Sequence, residues 1–252
     1  MFNLTLLALL LVALVLLGYQ IRLSRKFGAK LNQLMNNEKQ TRKNSRELKI
    51  STREDYRQSE FYAQLLHLLN LDAPIPLTRG WAASPDVLLT LVESARSSEV
   101  RTIVDLGSGV STLVLAKSAP HARVVSIDNS GEYAAKTRQL LDNHKITNVD
   151  LRVAPLTPHT SGVPWYDTSA MSNLAEIDLL FIDGPPATED GQARHPALAE
   201  LVKKLSSRAI VVLDDAGRDG EKVLAQKFAA AMPNHVLEFL SHEKGTAVIR
   251  PK

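Results

Sequence analysis

The stretch 101–112, Arg-Thr-Ile-Val-Asp-Leu-Gly-Ser-Gly-Val-Ser-Thr, constrains the fold of this chain more than any other. Ile103, Val104 and Leu106 read as a buried strand with Asp105 at its carboxyl end. Gly107 and Gly109 then turn the chain, and Ser111-Thr112 opens a helix that runs to about 119. A strand, a tight glycine turn and a helix N-terminus make a corner suited to a nucleotide-type ligand. Glycine lets the backbone come close, and the free N–H groups of the first helical turn face the ligand.

The chain after Leu77 repeats this alternation. Apolar runs at 101–106, 122–127, 149–153, 177–182, 208–213, 235–240 and 246–250 read as strands. Amphipathic stretches near 111–119, 131–143, 196–206 and 220–231 read as helices, and Ser84-Pro85 starts another that reaches about Ser97. Strands alternating with helices predict an α/β fold, a Rossmann-like and mainly parallel seven-stranded sheet with helices on both faces. Only Ser241–Gly245 separates the last two strands, so they form a hairpin and one edge strand is expected to be antiparallel. There is no Cys, which excludes disulfides, thiolate metal sites and a cysteine nucleophile.

The first 70 residues differ in kind. Residues 1–21 carry no charge and are Leu-rich from Leu4 to Leu17, long enough for a helix across a bilayer. The uncharged Met1-Phe2-Asn3 and the poor cleavage site at Gly18-Tyr19-Gln20 argue for an uncleaved anchor rather than a signal peptide. Arg22, Arg25, Lys26 and Lys30 follow at once, which predicts a single pass in the inner (cytoplasmic) membrane with the bulk of the chain in the cytoplasm. Residues 22–58 hold 11 Lys/Arg and 4 Asp/Glu, a net of +7 against +3 for the whole chain. The basic pI therefore belongs to the segment beside the membrane, and nucleic acid is not an expected partner. Residues 22–70 read as a basic helical stalk. Its charges would rest on anionic lipid, or Leu31, Leu34 and Leu48 would seat a homodimer. Phe61, Leu65, Leu66, Leu68 and Leu69 are expected to dock on the domain at 71–252, and Pro74 and Pro76 to end the helix.

NAD, a phosphate and S-adenosylmethionine (SAM) are the ligands to separate at the glycine corner. The dinucleotide fingerprint wants a third small residue where this chain has Thr112, and a Walker lysine is absent. Asp128 ends the second strand about 20 residues after the first glycine, where a carboxylate takes two ribose hydroxyls. Asp105, Asp183, Asp214 and Asp215 all fall at carboxyl ends of strands, and suit a cationic amino acid tail and sulfonium better than a pyrophosphate.

At this point the chain resembles the class I SAM-dependent methyltransferases over about 77–252. Gly80–Pro85, Val104–Leu113, Trp165–Asp167, Ile182–Pro186, Ala193–Leu198 and Val212–Ala216 are similar to a group of small bacterial methyltransferases linked with surface-polysaccharide genes. The resemblance implies cofactor contacts at Asp105, Gly107, Ser108, Gly109, Ser111, Thr112 and Asp183. It further implies ribose at Asp128 and adenine near Asn129 and Ala154, Pro155 and Leu156. The resemblance names no substrate; the expected reaction is O-methylation of a glycan, a lipid-linked sugar or a small hydroxylated molecule.

A hydroxyl acceptor must lose a proton through a base or a metal. Asp183, Asp214 and Asp215 form a carboxylate set suited to Mg²⁺. They look like the acids of metal-dependent catechol-type O-methyltransferases, although the pair here is Asp-Asp rather than Asp-Asn and Gly184-Pro185-Pro186 follows the first acid. Asp183, His195 and Asp215 are the expected catalytic groups, with His195 a base or a residue ahead of Pro196 at a helix start. Arg194 and Arg218 would grip an anionic acceptor group, or Arg218 would lie exposed at a helix start. Trp165 and Tyr166 would cover the acceptor, or pack their loop onto the sheet. The competing functions are an NAD-dependent oxidoreductase and a non-catalytic membrane scaffold.

Overall fold

A computed structural model describes residues 4–97, 99–186 and 191–252. The chain divides into two units, Met1–Tyr56 and Arg57–Lys252. Helix α1 (Leu4–Leu69) is continuous through the boundary. Over the first unit it is held by its own backbone and by i,i+4 contacts such as Glu38–Arg42 at 2.6 Å. It contains one span long and apolar enough to cross a membrane, with mean hydropathy 2.5. From Arg57 on, α1 is part of the second unit. Gln58, Leu65 and Leu69 are buried there, while Leu66 and Leu68 stay partly exposed. The helical period selects 65 and 69 and turns 66 and 68 outward. The helix stops at Asn70, which adopts a left-handed φ of 46°, and not at Pro74.

The rest of the second unit is built on one sheet. Its strands are β1 (Thr102–Leu106), β2 (Arg123–Asp128), β3 (Val149–Val153), β6 (Ile177–Ile182), β7 (Leu205–Asp214), β8 (His235–Leu240) and β9 (Thr246–Pro251). They lie in the order β3-β2-β1-β6-β7-β9-β8. β1, β2, β3, β6 and β7 are mutually parallel. β9 runs antiparallel to both β7 and β8. The antiparallel strand is therefore one place in from the edge, because the short 241–245 turn returns the chain between β8 and β7. Between β3 and β6 a small hairpin, β4 (Leu156–Thr157) with β5 (Trp165–Tyr166), organises part of a stretch that reads as plain loop.

Helices cover both faces: α2 (Pro85–Ala95), α3 (Val110–Ser118), α4 (Gly131–Asn143), α5 (Pro196–Leu201) and α6 (Asp219–Ala231). Alternate strand residues enter opposite cores. Ile103, Leu179 and Phe181 pack with Leu88, Leu91 and Leu113, whereas Val104, Leu180 and Ile182 pack with Trp165, Leu224 and Phe228. Burial on both sides explains why these strands read as unbroken apolar runs. α5 is shorter than the 196–206 expected. Leu205 pairs with Ile177 and starts β7 three residues early, so sheet pairing overrides the local helical pattern.

Candidate active site

Most of the candidate side chains gather at the carboxyl ends of the parallel strands, where β1 and β6 are neighbours and the crossover direction changes. On the β1 side, Asp105 is fully buried. Its carboxylate accepts hydroxyl hydrogens from Thr112 at 2.6 Å, Ser111 at 3.3 Å and Ser126 at 3.4 Å. Thr112 Oγ1 also accepts the Gly109 N–H at 3.1 Å. The threonine that breaks the dinucleotide pattern is thus the fastener of the turn. Burial outweighs the three donors and pushes the Asp105 carboxyl up to about 7. Gly107 takes φ +102°, and a Cβ there would stand 3.4 Å from the Asp183 backbone, so two strand ends meet closely at this residue. Asp128 ends β2 and accepts from Ser108 N–H at 3.1 Å, Ser108 Oγ at 2.5 Å and Ser130 N–H at 2.8 Å.

The β6 and β7 ends hold three acids around one guanidinium. Arg194 is buried. It donates to Asp183 Oδ1 at 3.1 Å, Asp215 Oδ2 at 2.9 Å, and the carbonyls of Asp183 at 2.8 Å and Asp214 at 3.1 Å. Arg218 reaches Asp215 Oδ2 at 3.0 Å, and Lys244 Nζ stands 3.9 Å from both Asp214 and Asp215. Burial and the nearby Asp214 carboxylate push Asp183 up to about 8 against the pull of Arg194. Burial and Asp215 push Asp214 up to about 6. This donor set does not fit a divalent cation. Arg194 and Arg218 take one oxygen each of Asp183 and Asp215, Lys244 stands beside Asp214, and among the described residues no three acidic or imidazole groups converge as a cage. The expectation of Mg²⁺ is therefore not supported.

A cavity of about 460 Å³ opens between the two sides. Of the residues expected at the cofactor, Gly107, Ser108, Gly109, Ser111, Asp128, Asn129 and Asp183 line it. Asp105, Thr112, Ala154, Pro155 and Leu156 do not. The first two lie fully buried behind the corner, Ala154 and Pro155 belong to the β3–β4 connection, and Leu156 starts β4. Asp215 lines the cavity, but Asp214 and His195 do not. The imidazole of His195 is turned to the Gly220 carbonyl at 3.0 Å. Arg194 and Arg218 line it, each already bound to acids. Trp165 is fully buried in an edge contact with Tyr166, ring centroids 4.9 Å apart, so it packs its loop onto the sheet; Tyr166 reaches the cavity wall.

Sequence reasoning missed Lys244 and Tyr133, and gave no role to Gly80, Ala82 or Ala83. Lys244 donates to the Ala82 carbonyl at 3.3 Å, and Arg79 pairs with Glu243 at 2.8 Å, so two wall segments far apart in sequence are tied together. Below them, buried Asp86 accepts from Gln58 Nε2 at 2.7 Å, Ser84 Oγ at 2.6 Å and Glu243 N–H at 2.9 Å. A lysine in a hairpin turn normally reads as solvated. Only the insertion of β9 beside β7 brings it to the site.

Residues 104–216 match the family model of the methyltransferase domain. This range contains the glycine corner, Asp128, Asp183, Arg194 and Asp215. No curated protein sequence matches the chain. Among solved structures it is similar to a methyltransferase from Geobacter sulfurreducens, with 16% identity, 77% of this chain and 90% of that one covered and a TM-score of 0.52. It is also similar to an SAH-bound methyltransferase from Podospora anserina, with 20% identity, 68% and 80% covered and a TM-score of 0.51. A precorrin-6y C5,15-methyltransferase from Geobacter metallireducens gives 15% identity, 69% and 92% covered and a TM-score of 0.50. At such identities the likeness is one of fold. Residues 104–216 thus resemble a methyltransferase domain, and the fold is one that the chain shares with solved methyltransferase structures.

Proposed function

We propose that the chain is a SAM-dependent O-methyltransferase held at the cytoplasmic membrane by residues 1–21, with its catalytic domain in the cytoplasm. Its acceptor is a hydroxyl of a glycan, a lipid-linked sugar or a small molecule. The observation that carries this reading is the cavity between Gly107–Ser111, Asp128 and Asp183 at the carboxyl ends of parallel strands. Its volume is that of a small-molecule site, and its carboxylates complement a cationic ligand.

SAM bound here supplies an electrophilic methyl group. Asp128 accepts hydrogen bonds from the ribose hydroxyls, and Ser108, which now holds that carboxylate, gives way or shares it. Asp183 faces the cavity and, with its carboxyl pushed up to about 8, is a base strong enough to take the acceptor's hydroxyl proton near neutral pH. Arg194 keeps Asp183 and Asp215 in place and offsets their charge. Alignment of the acceptor oxygen with the methyl group supplies much of the rate. The anchor confines the enzyme to the surface where a lipid-linked acceptor is made.

The test incubates the full chain with methyl-labelled SAM and membrane extract. A labelled product whose mass spectrum places the methyl on oxygen supports the reading. Label found only on nitrogen or carbon contradicts it. An Asp183→Ala variant is expected to fold and to lose turnover, and wild-type rates from it would remove Asp183 as the base.

A further inference from the structure

Tyr166 occupies a position that packing alone does not explain. Its side chain is 1% exposed, at the tip of β5 in the long connection between β3 and β6. Its ring packs on Trp165, yet its hydroxyl oxygen is buried with no hydrogen-bond partner among the described residues. The same residue lines the cavity, together with Gly107, Asp128, Asp183 and Gly184. Gly184 completes the seat, because a Cβ there would collide with the Tyr166 hydroxyl and crowd Gly107 N and Leu106 O at 3.1 Å each. A glycine is thus needed where the phenol tip enters the cavity wall.

A buried hydroxyl without a partner costs about 1–3 kcal/mol relative to a paired one. A phenylalanine would fill the same space without that cost. The hydroxyl is explained if a bound molecule completes it. Burial and the Asp128 carboxylate hold the phenol well above its ordinary range, so it stays protonated and enters as an O–H donor. The charges that act on it are Asp128, Arg194, Asp105 and Asp183; Asp128 is engaged by Ser108 and Ser130, Asp105 by Thr112 and Asp183 by Arg194. Among the described residues no group accepts its hydrogen, and the bound ligand is the partner the cavity offers.

Resting on the reading that this cavity holds SAM, we propose that Tyr166 is a cofactor-binding residue whose hydroxyl donates a hydrogen bond to an oxygen of the bound cofactor. The oxygens available are those of the ribose and of the amino acid carboxylate. Both are hydrogen-bond acceptors, and two ligands separate them. S-adenosylhomocysteine (SAH) carries both, whereas 5′-methylthioadenosine keeps the ribose and lacks the carboxylate.

The test is calorimetric titration of SAH and 5′-methylthioadenosine into the wild-type full chain and its Tyr166→Phe variant, with thermal melts of both proteins without ligand. Tyr166→Phe is expected to bind SAH about 3- to 10-fold more weakly, the loss of one neutral hydrogen bond. Its unliganded melting temperature is expected to be equal or higher, since an unpaired buried hydroxyl has been removed. A merely structural tyrosine would lower the melting temperature and leave the affinity alone. If both ligands weaken together, the partner is a ribose oxygen; if only SAH weakens, it is the carboxylate. Equal affinity of wild type and variant for both ligands overturns the assignment of Tyr166 while the cofactor reading stands. Failure of the folded wild-type protein to bind SAH overturns both.

Discussion

The two sides of the cavity carry buried acids and neutralise them in opposite ways. On the β1 side, Asp105 is held by hydroxyls from residues 111, 112 and 126, and the cluster is neutral apart from the acid itself. On the β6–β7 side, Asp183 and Asp215 share one guanidinium that comes from a separate segment, with Arg218 and Lys244 behind it. On the first side the acid stands behind the wall. The second is assembled from distant parts of the chain, and its charges reach the cavity.

Removing the guanidinium should break this contrast most strongly. Arg194→Met leaves Asp183 without its counter-charge and Asp215 with only Arg218 and Lys244, and breaking a buried pair costs about 3–5 kcal/mol. Urea denaturation is expected to show that loss at pH 8 and a smaller one at pH 5, where Asp183 and Asp214 are protonated. A loss under about 1 kcal/mol at both pH values, within the range of exposed pairs, would mean that Arg194 is not the rim's counter-charge.

The next effect concerns the first side. Asp128→Asn weakens the charge-assisted hydrogen bonds offered to ribose hydroxyls, about 1.5–3 kcal/mol, or about 10- to 100-fold in SAH affinity. Calorimetry with SAH reads it, and an unchanged affinity would move the ribose elsewhere. Thr112→Val should cost about 1 kcal/mol of stability by freeing Asp105 and Gly109 N–H from the fastener. Because Thr112 lies behind the wall, its SAH affinity should change less than that of Asp128→Asn. The reverse order would put Thr112 in the binding surface.

The most distributed effect is the pH dependence of stability. Asp214, Asp105 and Asp183 have folded values raised to about 6, 7 and 8. The folded chain therefore holds protons that the unfolded chain has released above about 4. Stability from these groups is greatest near pH 4 and falls as pH rises to about 8, then stays level. Urea midpoints across that range test the sign. A midpoint that climbs from pH 5 to pH 8 would show that the acids are ionised without strain.

The same contrast marks what the sequence disclosed. The glycine corner, the strand positions and Asp128 were legible because each depends on neighbours within a few residues. Thr112 was read as a ligand contact, since the inward turn of its hydroxyl to Asp105 depends on packing against β2. The acids of the rim were legible as acids at strand ends, but not their counter-charge. Arg194 and Lys244 come from segments whose placement follows from sheet order and the β9 insertion, which periodicity does not encode. His195 failed for a similar reason, since the start of α5 turns its ring to Gly220. The β4–β5 hairpin is only two residues per strand, too short for any alternating pattern, so the orphan hydroxyl of Tyr166 came from the structure alone.

The central claim is that this cavity binds SAM, with hydroxyl chemistry on one side and titratable acids on the other. Titration calorimetry of SAM into the full chain at pH 7, in two buffers of different ionisation enthalpy, tests both halves together. The account predicts saturable one-to-one binding with net proton release, because a cationic ligand favours the ionised forms of Asp183 and Asp105. Absence of SAM binding by the folded chain, with NAD binding in its place, would contradict it.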